Sequence, residues 1–298
     1  MSLEWFLSLL LLGLLGALTA LGAVLILRRA WVARKSRTHE LHCRLIRAEL
    51  MQMVARGDDR FVIAHWTPAD RKAAFEVSAQ LLCLIRGNER DRLLGIIDAN
   101  EILAEPLGRI NRKAKQRRIA TIRSLVPYDT PTVVGILDRL MVDDPESDVR
   151  FEAALALAKN DRLTAPWRVI EAVCPDGTAL SPAHRQLLRS MMPKHREGFL
   201  AIAFYQDRWL ARILAIDALG HGHDYEMALR LAPLIDDDDF RIRIEALHAA
   251  QRLGHVSALP WVLRALADED EAVRAAAKNA VRAIAPNKTV AQITALSA

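Results

Sequence analysis

Apolar residues are arranged in two patterns along the chain: one uninterrupted run near the start, and helical spacing over most of the remaining sequence. The run Trp5–Leu27 contains no charged residue. Because a helix rises about 1.5 Å per residue, this run extends about 34 Å, enough to cross a bilayer hydrocarbon core about 30 Å thick. The pattern therefore predicts a single transmembrane helix over residues 5–27.

Charges on the two sides of this run predict its orientation. Glu4 precedes the run without any Lys or Arg, whereas five cations come after it before the next acid. Because Lys and Arg are retained on the cytoplasmic side, we expect the N-terminus outside and the rest cytoplasmic, at the inner or plasma membrane. The alternative, a cleaved signal peptide, is disfavoured because no cation precedes the run and the run is long. The flanking cations, which could also contact anionic lipid headgroups, are Arg28, Arg29, Arg34, Lys35 and Arg37.

Residues 28–66 are predicted to form a basic juxtamembrane segment that contains an amphipathic helix. Helical spacing places apolar side chains on one face, and Gly57 is expected to end the helix. This face could pack on the next domain as a cap or lie on the membrane surface. Its residues are Leu41, Leu45, Leu50, Met53 and Val54.

An arginine recurs with fixed spacing in the C-terminal half of the chain. Arg212, Arg243 and Arg274 are 31 residues apart, and Arg150 precedes Arg212 by two such periods, which leaves one unit near Ser181 without the arginine. Three residues after each arginine stands an alanine, and small side chains at this spacing let a neighbouring helix pack closely. These alanines are Ala153, Ala215, Ala246 and Ala277. The period predicts stacked helical units, in which each arginine reaches an acid or carbonyl of an adjoining unit.

Four stretches with this pattern resemble the HEAT-repeat superfamily, particularly the short variety found in phycobilisome-lyase-like proteins: DDPESDVRFEAALALAKN, DRWLARILAIDALG, DDFRIRIEALHAAQRLG and DEDEAVRAAAKNAVRAI. The resemblance is strongest over residues 130–285. It implies units of two antiparallel helices, stacked in a right-handed solenoid that mostly binds other proteins. For the phycobilisome-lyase-like branch it implies instead an enzyme or enzyme subunit whose repeats cradle a chromophore, although no catalytic residue of that branch maps onto this chain.

Helix-start signals extend the predicted solenoid towards the N-terminus. A capping residue followed by a proline suited to the first helical turn occurs three times, at Thr67-Pro68, Thr130-Pro131 and Ser181-Pro182. The predicted architecture is all-α: a solenoid of about seven HEAT-like hairpins over residues 67–286. The transmembrane helix precedes this solenoid, and a flexible tail over residues 287–298 comes after it.

The distribution of charge identifies one candidate contact surface. The chain has a formal net charge of +5, while the stretch Arg109–Arg123 alone has seven cations and no acid. Such a stretch could be a solvated helix face, could contact an acidic protein or lipid headgroups, or could bind nucleic-acid phosphates. Nucleic acid is disfavoured by the predicted membrane tether and by the absence of interleaved aromatic residues. The candidate contacts are Arg109, Arg112, Lys113, Lys115, Arg117, Arg118 and Arg123.

The sequence contains no catalytic or cofactor motif of the P-loop, GxGxxG, GxSxG or HExxH type. The sequence HELHC at 39–43 has cysteine in place of the second histidine and is interpreted as polar residues of the juxtamembrane helix. His221, His223 and Asp224 lack further metal ligands nearby, and the acids at 236–239 are interpreted as helix caps. We therefore expect no catalytic, cofactor or metal residues. The sequence favours a membrane-anchored cytoplasmic scaffold or adaptor that binds partner proteins and assembles or regulates a membrane-associated machine.

Overall fold

The computed structural model describes residues 3–57, 63, 66–110, 114–163, 165–174, 181–222 and 225–286. Within the first helix, the side chains of residues 3–15, 17–20, 30, 32, 33, 35 and 36 are outside this set. All regular elements of the described chain are helices, as predicted. They divide into two compact units, an N-terminal unit of residues 1–108 and a C-terminal unit of residues 109–298.

The N-terminal unit is built on one long helix. Its helices are α1 (Leu3–Arg56), α2 (Pro68–Leu84), α3 (Asn88–Ala99) and α4 (Ala104–Arg109), the last ending one residue past the boundary. The C-terminal part of α1 packs on α2 and α3. Gly57 ends α1 with a left-handed φ of +77°, a conformation that costs glycine little, so the predicted helix end is confirmed.

The buried face of α1 differs from the predicted one at its N-terminal end. Leu50, Met53 and Val54 are buried as expected, but Leu41 and Leu45 are exposed, and Ile46 is buried. The buried apolar contact with α2 and α3 therefore begins about one helical turn later than the apolar pattern indicated, although His39 and His42 already pair with Glu76 and Asp70 of α2. The buried residues join Ala73, Ala74 and Val77 of α2, which are also buried.

The predicted transmembrane segment lies mostly on residues whose side chains are not described. Among the side chains that are described, no helix offers an apolar stretch long enough to span a bilayer, so the anchor is not confirmed. The described part of the run is exposed from Leu21 to Leu27, apart from half-buried Gly22, and Trp31 is 63% exposed. The backbone is helical through this region and continues into the predicted juxtamembrane segment as the same helix, α1.

The C-terminal unit consists of helices stacked in two layers. Its helices are α5 (Lys115–Leu125), α6 (Pro131–Asp143), α7 (Ser147–Lys159), α8 (Pro166–Val173), α9 (Pro182–Tyr205), α10 (Trp209–Leu219), α11 (Glu226–Arg230), α12 (Phe240–Leu253), α13 (Leu259–Arg264) and α14 (Glu271–Ile284). Short 3₁₀ helices at Ala232–Asp236, Val256–Ala258 and Ala265–Ala267 complete the hairpins around α11 and α13. One layer contains α5, α7, the first half of α9, α10, α12 and α14; the other contains α6, α8, the second half of α9, α11 and α13.

Helix α9 belongs to both layers because it bends at His195, whose φ of −121° and ψ of 28° are not helical. Pro193, just before the bend, lacks the N–H that a continuous helix needs. The first half contacts α7 through His184 and Phe151, while Gly198 in the second half approaches Pro166 at the start of α8. The repeat unit that has no arginine near Ser181 is therefore present as a helix.

The start signals behave as predicted at two of the three sites. Thr67 forms a capping box with Asp70, and the Thr130 hydroxyl accepts a hydrogen bond from the Val133 N–H. Ser181 also stands at a helix start, but its hydroxyl bonds His184 Nδ1 instead of a backbone N–H.

The four repeat alanines, which we call the alanine stripe, are buried in the layer of stacked helices. Ala153, Ala215, Ala246 and Ala277 are all 0% exposed, and each lies in the arginine-bearing layer. Gly220, at the end of α10, shows how close the helices come: a Cβ added there would lie 2.7 Å from the Ala249 Cα of α12. The C-terminal unit is thus a solenoid-like helical repeat array. The handedness and the total of about seven hairpins stay predictions.

Candidate functional site

Buried ion pairs connect successive repeats of the C-terminal unit. The Arg243 guanidinium donates two hydrogen bonds of 2.9 Å to the Asp268 carboxylate, and Arg212 pairs with Asp237 in the same way one repeat earlier. In both pairs the aspartate precedes the next repeat arginine by six residues. The Arg243 and Asp268 side chains are only 9% and 11% exposed. We call the repeat arginines together with these aspartates the arginine ladder. Arg212 and Arg243 reach an acid of the adjoining unit as predicted, whereas Arg274, in the described chain, bonds only to carbonyls of the loop before its own helix.

Each ladder residue also fixes the loop before its own helix. Arg243 donates to the Asp237 carbonyl at 2.8 Å, and Arg274 donates to the Asp268 and Glu269 carbonyls, both at 2.8 Å. The Asp268 carboxylate in turn accepts the Asp270 N–H at 2.9 Å. These bonds satisfy carbonyl and N–H groups of the loop at the helix start. Asp237 and Asp239 accept N–H bonds in the same manner, which supports their predicted capping role.

The charges of the ladder stabilise each other. Burial by itself raises the pKa of Asp268, but the Arg243 hydrogen bond, the Asp270 N–H and nearby arginines outweigh it, so the net pKa is lowered. The Asp268 hydrogen bond raises the pKa of Arg243. Both groups therefore remain ionised at neutral pH.

Arg118 is a further ladder residue, one that the repeat pattern did not predict. Its guanidinium donates to the Asp144 carboxylate at 2.9 Å, and Asp144 precedes Arg150 by six residues. The two side chains are 10% and 4% exposed. Thr121 is buried three residues later, in the place that alanine occupies in the other repeats. The sequence separation between Arg118 and Asp144 could have revealed this role. It was overlooked because Arg118 lies within a run of cations and its repeat has Thr121 in place of the alanine.

The other members of the basic stretch are partly engaged as well. Arg123 forms a bidentate pair with Glu152, at 2.9 and 2.8 Å, and Lys115 pairs with Asp148. Arg117 is exposed without an ion pair in the described part of the chain, and Arg109 ends α4. Arg112 and Lys113 lie outside the described residues. The proposed contact of this stretch with a partner or lipid stays a prediction, with fewer available cations than the sequence suggested.

The repeat formed by α9 is connected to its neighbour by a different buried ion pair, between Arg189 and Asp217. Asp217 of α10 is 2% exposed and accepts two hydrogen bonds of 2.9 Å from Arg189 of α9, with Arg185 and Arg252 at 3.3 and 3.5 Å. Burial raises the Asp217 pKa, but the hydrogen bond from Arg189 and the three arginine charges lower it overall. This cluster connects α9, α10 and α12 where the repeat arginine is missing from α9. His221 also bonds here, to the Asp217 carbonyl, whereas His223 and Asp224 lie outside the described residues.

Three successive loops of the array present exposed acids at one repeat position. Asp207, Asp238 and Glu269 each lie five residues before a ladder arginine, and all three are exposed. Glu269 lies 3.8 Å from the Arg243 guanidinium but remains 91% exposed. No ion pair involves Asp207 or Asp238 within the described chain. The loops lie side by side, since Arg241 from the second stacks 4.0 Å over the Trp209 ring of the first.

Exposed aromatic residues accompany these acids. Trp209 and Phe240 each stand three residues before a ladder arginine, and they are 41% and 44% exposed. We name the five residues Asp207, Trp209, Asp238, Phe240 and Glu269 the acidic loop edge. It was not predicted from the sequence, because the repeat was recognised only by its arginine and alanine positions. The same 31-residue period would have found it.

The spacing of the acidic loop edge suits an extended chain. Packed helices lie about 8–10 Å apart, so carboxylates one repeat apart are separated by about that distance. An extended peptide in the polyproline II conformation advances about 3.1 Å per residue with three residues per turn, so cations at every third residue share one face and would meet successive carboxylates. Aromatic faces beside the carboxylates add attraction for guanidinium and ammonium groups.

The cations that follow the predicted transmembrane run are exposed where they are described. Arg28, Arg29, Arg34 and Arg37 are exposed, and Lys35 has no described side chain.

Comparisons with known proteins agree with a HEAT-type array in the C-terminal unit. Residues 197–296 match the family model described as HEAT repeats. Among solved structures, a designed armadillo repeat protein in complex with the peptide (KR)4 is similar, with 16% identity over 79% of this chain and 99% of that chain. Its TM-score of 0.27 is too low to establish a shared fold. No curated protein matches the chain in sequence. The phycobilisome-lyase-like branch is not confirmed.

Proposed function

We propose that the chain is a membrane-anchored, non-enzymatic scaffold that binds the basic juxtamembrane segment of an integral membrane protein along the acidic loop edge. The observation that carries this proposal is the row of exposed carboxylates on three successive repeats, with Trp209 and Phe240 beside them. A repeat array that keeps one register exposes the same position at regular intervals, which suits recognition of a linear segment.

The chemistry of this edge favours a cationic occupant. Its three carboxylates attract Lys and Arg, and they repel anionic lipid and nucleic-acid phosphates. Cations that reach Trp209 or Phe240 would gain a cation–π contact like the one that Arg241 already makes.

The predicted anchor identifies a source of such segments. Integral membrane proteins concentrate Lys and Arg immediately on the cytoplasmic side of their spans. A tether through Trp5–Leu27, with Arg28 and the next cations in the cytoplasm, would keep the array in the same compartment as these segments. Support for the anchor comes from the uncharged run itself and from the exposure of Leu21 and Val24–Leu27, apolar side chains that a bilayer would cover.

The test of the docking edge is a binding titration with a defined probe. A fluorescent peptide with arginine at every third residue is titrated with the full-length protein in detergent micelles, at low and at moderate salt. Replacing the three acids, Asp207→Asn with Asp238→Asn and Glu269→Gln, should weaken binding about tenfold, because three exposed ion pairs at about 0.5 kcal/mol each contribute about 1.5 kcal/mol together. The difference should shrink at higher salt.

A matched triple variant controls for net charge. Glu89→Gln, Asp98→Asn and Glu171→Gln remove the same number of exposed negative charges from residues that do not belong to the edge. This control should bind the peptide like wild type. Equal weakening in both triples would show attraction by overall charge alone, and the docking edge would be wrong.

The anchor has its own test, a pair of reporter fusions after Ala298. A reporter that is active only in the cytoplasm should work, since the cations after Leu27 keep that side inside. Activity of only an exported reporter would contradict the predicted topology.

A further inference from the structure

A group of potential metal ligands lies between the first two helices of the N-terminal unit. His39 and Cys43 are four residues apart on α1 and therefore share one helix face. Glu76 approaches them from α2, with its Oε2 2.8 Å from His39 Nε2. Cys43 Sγ lies 3.5 Å from the same nitrogen. The three ligand atoms lie within 4.8 Å of one another.

The geometry is close to what a tetrahedral ion requires. With bonds of about 2.0–2.3 Å to nitrogen, oxygen and sulfur, ligand atoms around such an ion are about 3.3–3.6 Å apart. The sulfur–nitrogen distance already has this value. The His39–Glu76 pair would open by about half an ångström from its present hydrogen bond, which exposed side chains can do.

The three donor atoms and their surroundings fit a metal ion of intermediate softness that keeps one coordination position open. Imidazole, thiolate and carboxylate together are ligands of Zn²⁺. The group faces a surface depression of about 310 Å³, which leaves room for a water as fourth ligand. The nearest cations have partners of their own: Arg44 pairs with Glu40, and Arg47 donates to Gln80 Oε1.

We propose that His39, Cys43 and Glu76 bind a divalent zinc ion that fastens α1 to α2. The HELHC sequence supplies two of the ligands, and the fold supplies the third from a helix that is distant in the chain. Binding displaces the Cys43 thiol proton into solvent. Because the contact of α1 with α2 begins in this region, the ion would hold the predicted membrane-side helix against the rest of the unit.

Metal titration of the full-length protein in detergent tests this site. After chelator treatment, the protein is titrated with Zn²⁺ alone against a chromophoric competitor, and with Co²⁺ while its absorption is recorded. We expect one equivalent of Zn²⁺ and a Co²⁺ spectrum with tetrahedral d–d bands and a sulfur charge-transfer band. Cys43→Ser should weaken binding more than about 100-fold, since even the loss of an outer-shell partner can cost that much.

Cys83 provides the matched control, because it is an exposed thiol on α2 outside the group. Cys83→Ser should bind Zn²⁺ like wild type. In the wild-type protein, Zn²⁺ should slow alkylation of Cys43 at least about tenfold while leaving Cys83 reactive, since a coordinated thiolate is blocked. Absence of stoichiometric binding, a Co²⁺ spectrum without the sulfur band, or equal loss in Cys43→Ser and Cys83→Ser would each overturn the proposal. In those cases His39 and Glu76 form only a hydrogen-bonded pair.

Discussion

Replacing Arg243 with alanine is expected to lower the free energy of unfolding of the C-terminal unit by about 3–5 kcal/mol, the usual cost of leaving one member of a buried ion pair alone. The substitution leaves the Asp268 carboxylate, 11% exposed, without its two hydrogen bonds from Arg243. It also removes the bond to the Asp237 carbonyl at the start of α12. Urea unfolding followed by circular dichroism measures the loss, and hydrogen exchange should locate it in α12 and α14.

An exposed pair nearby provides the control. Arg264 and Asp236 also connect neighbouring repeats, but their side chains are 61% and 66% exposed. Arg264→Ala should therefore cost no more than about 1 kcal/mol. If the two alanine variants lose the same stability, the ladder is no more important than a surface ion pair.

The arginine ladder should also make the free energy of unfolding depend on pH. The pKa of Asp268 is lower in the folded protein than in the unfolded chain, so its contribution is complete above the ordinary aspartate range. It is lost as pH falls through the lower, folded-state pKa. The stability gap between wild type and Asp268→Asn should accordingly narrow on acidification.

Replacing Ala246 or Ala277 with leucine should cost about 1–3 kcal/mol through overpacking. Both alanines are 0% exposed in the arginine-bearing layer, where α12 packs against α14. Added methyl groups must push these helices apart or force strained rotamers. Thermal unfolding of the full-length protein measures the effect.

Ala275 distinguishes packing from a general effect of leucine. It is exposed and lies two residues before Ala277 on the same helix. Ala275→Leu should leave the unfolding temperature almost unchanged. Wild-type unfolding of Ala246→Leu and Ala277→Leu would instead place the alanine stripe away from the helix interface.

Local patterns predicted the parts of the fold that depend on few residues. The arginine spacing predicted the ladder at Arg243, and the alanine spacing predicted the burial of Ala246. Both predictions succeeded because a repeat array places a given repeat position in the same environment in each unit. The helix end at Gly57 is a consequence of one backbone conformation. Such features require no knowledge of which distant segments meet.

The sequence analysis missed features that depend on which helices pack against each other. Arg118 was interpreted as one cation of a basic patch because its partner Asp144 is separated from it in the sequence by the whole of α6. Glu76 completes the group of His39 and Cys43 only through the packing of α2 on α1. The unit near Ser181 lacks the repeat arginine, so the arginine spacing could not reveal that α9 bends at His195.

Site-specific photocrosslinking in native membranes tests the docking proposal most directly. A photoreactive residue replaces Phe240 on the acidic loop edge or, as control, Leu229 of α11, which is 58% exposed in the other layer. Position 240 should give an adduct with an integral membrane protein, at a Lys- and Arg-rich segment next to a span. That adduct should disappear with Asp207→Asn, Asp238→Asn and Glu269→Gln, and persist with the matched charge control. The same adduct from position 229, or an adduct from position 240 that survives loss of the three acids, would contradict the proposed function.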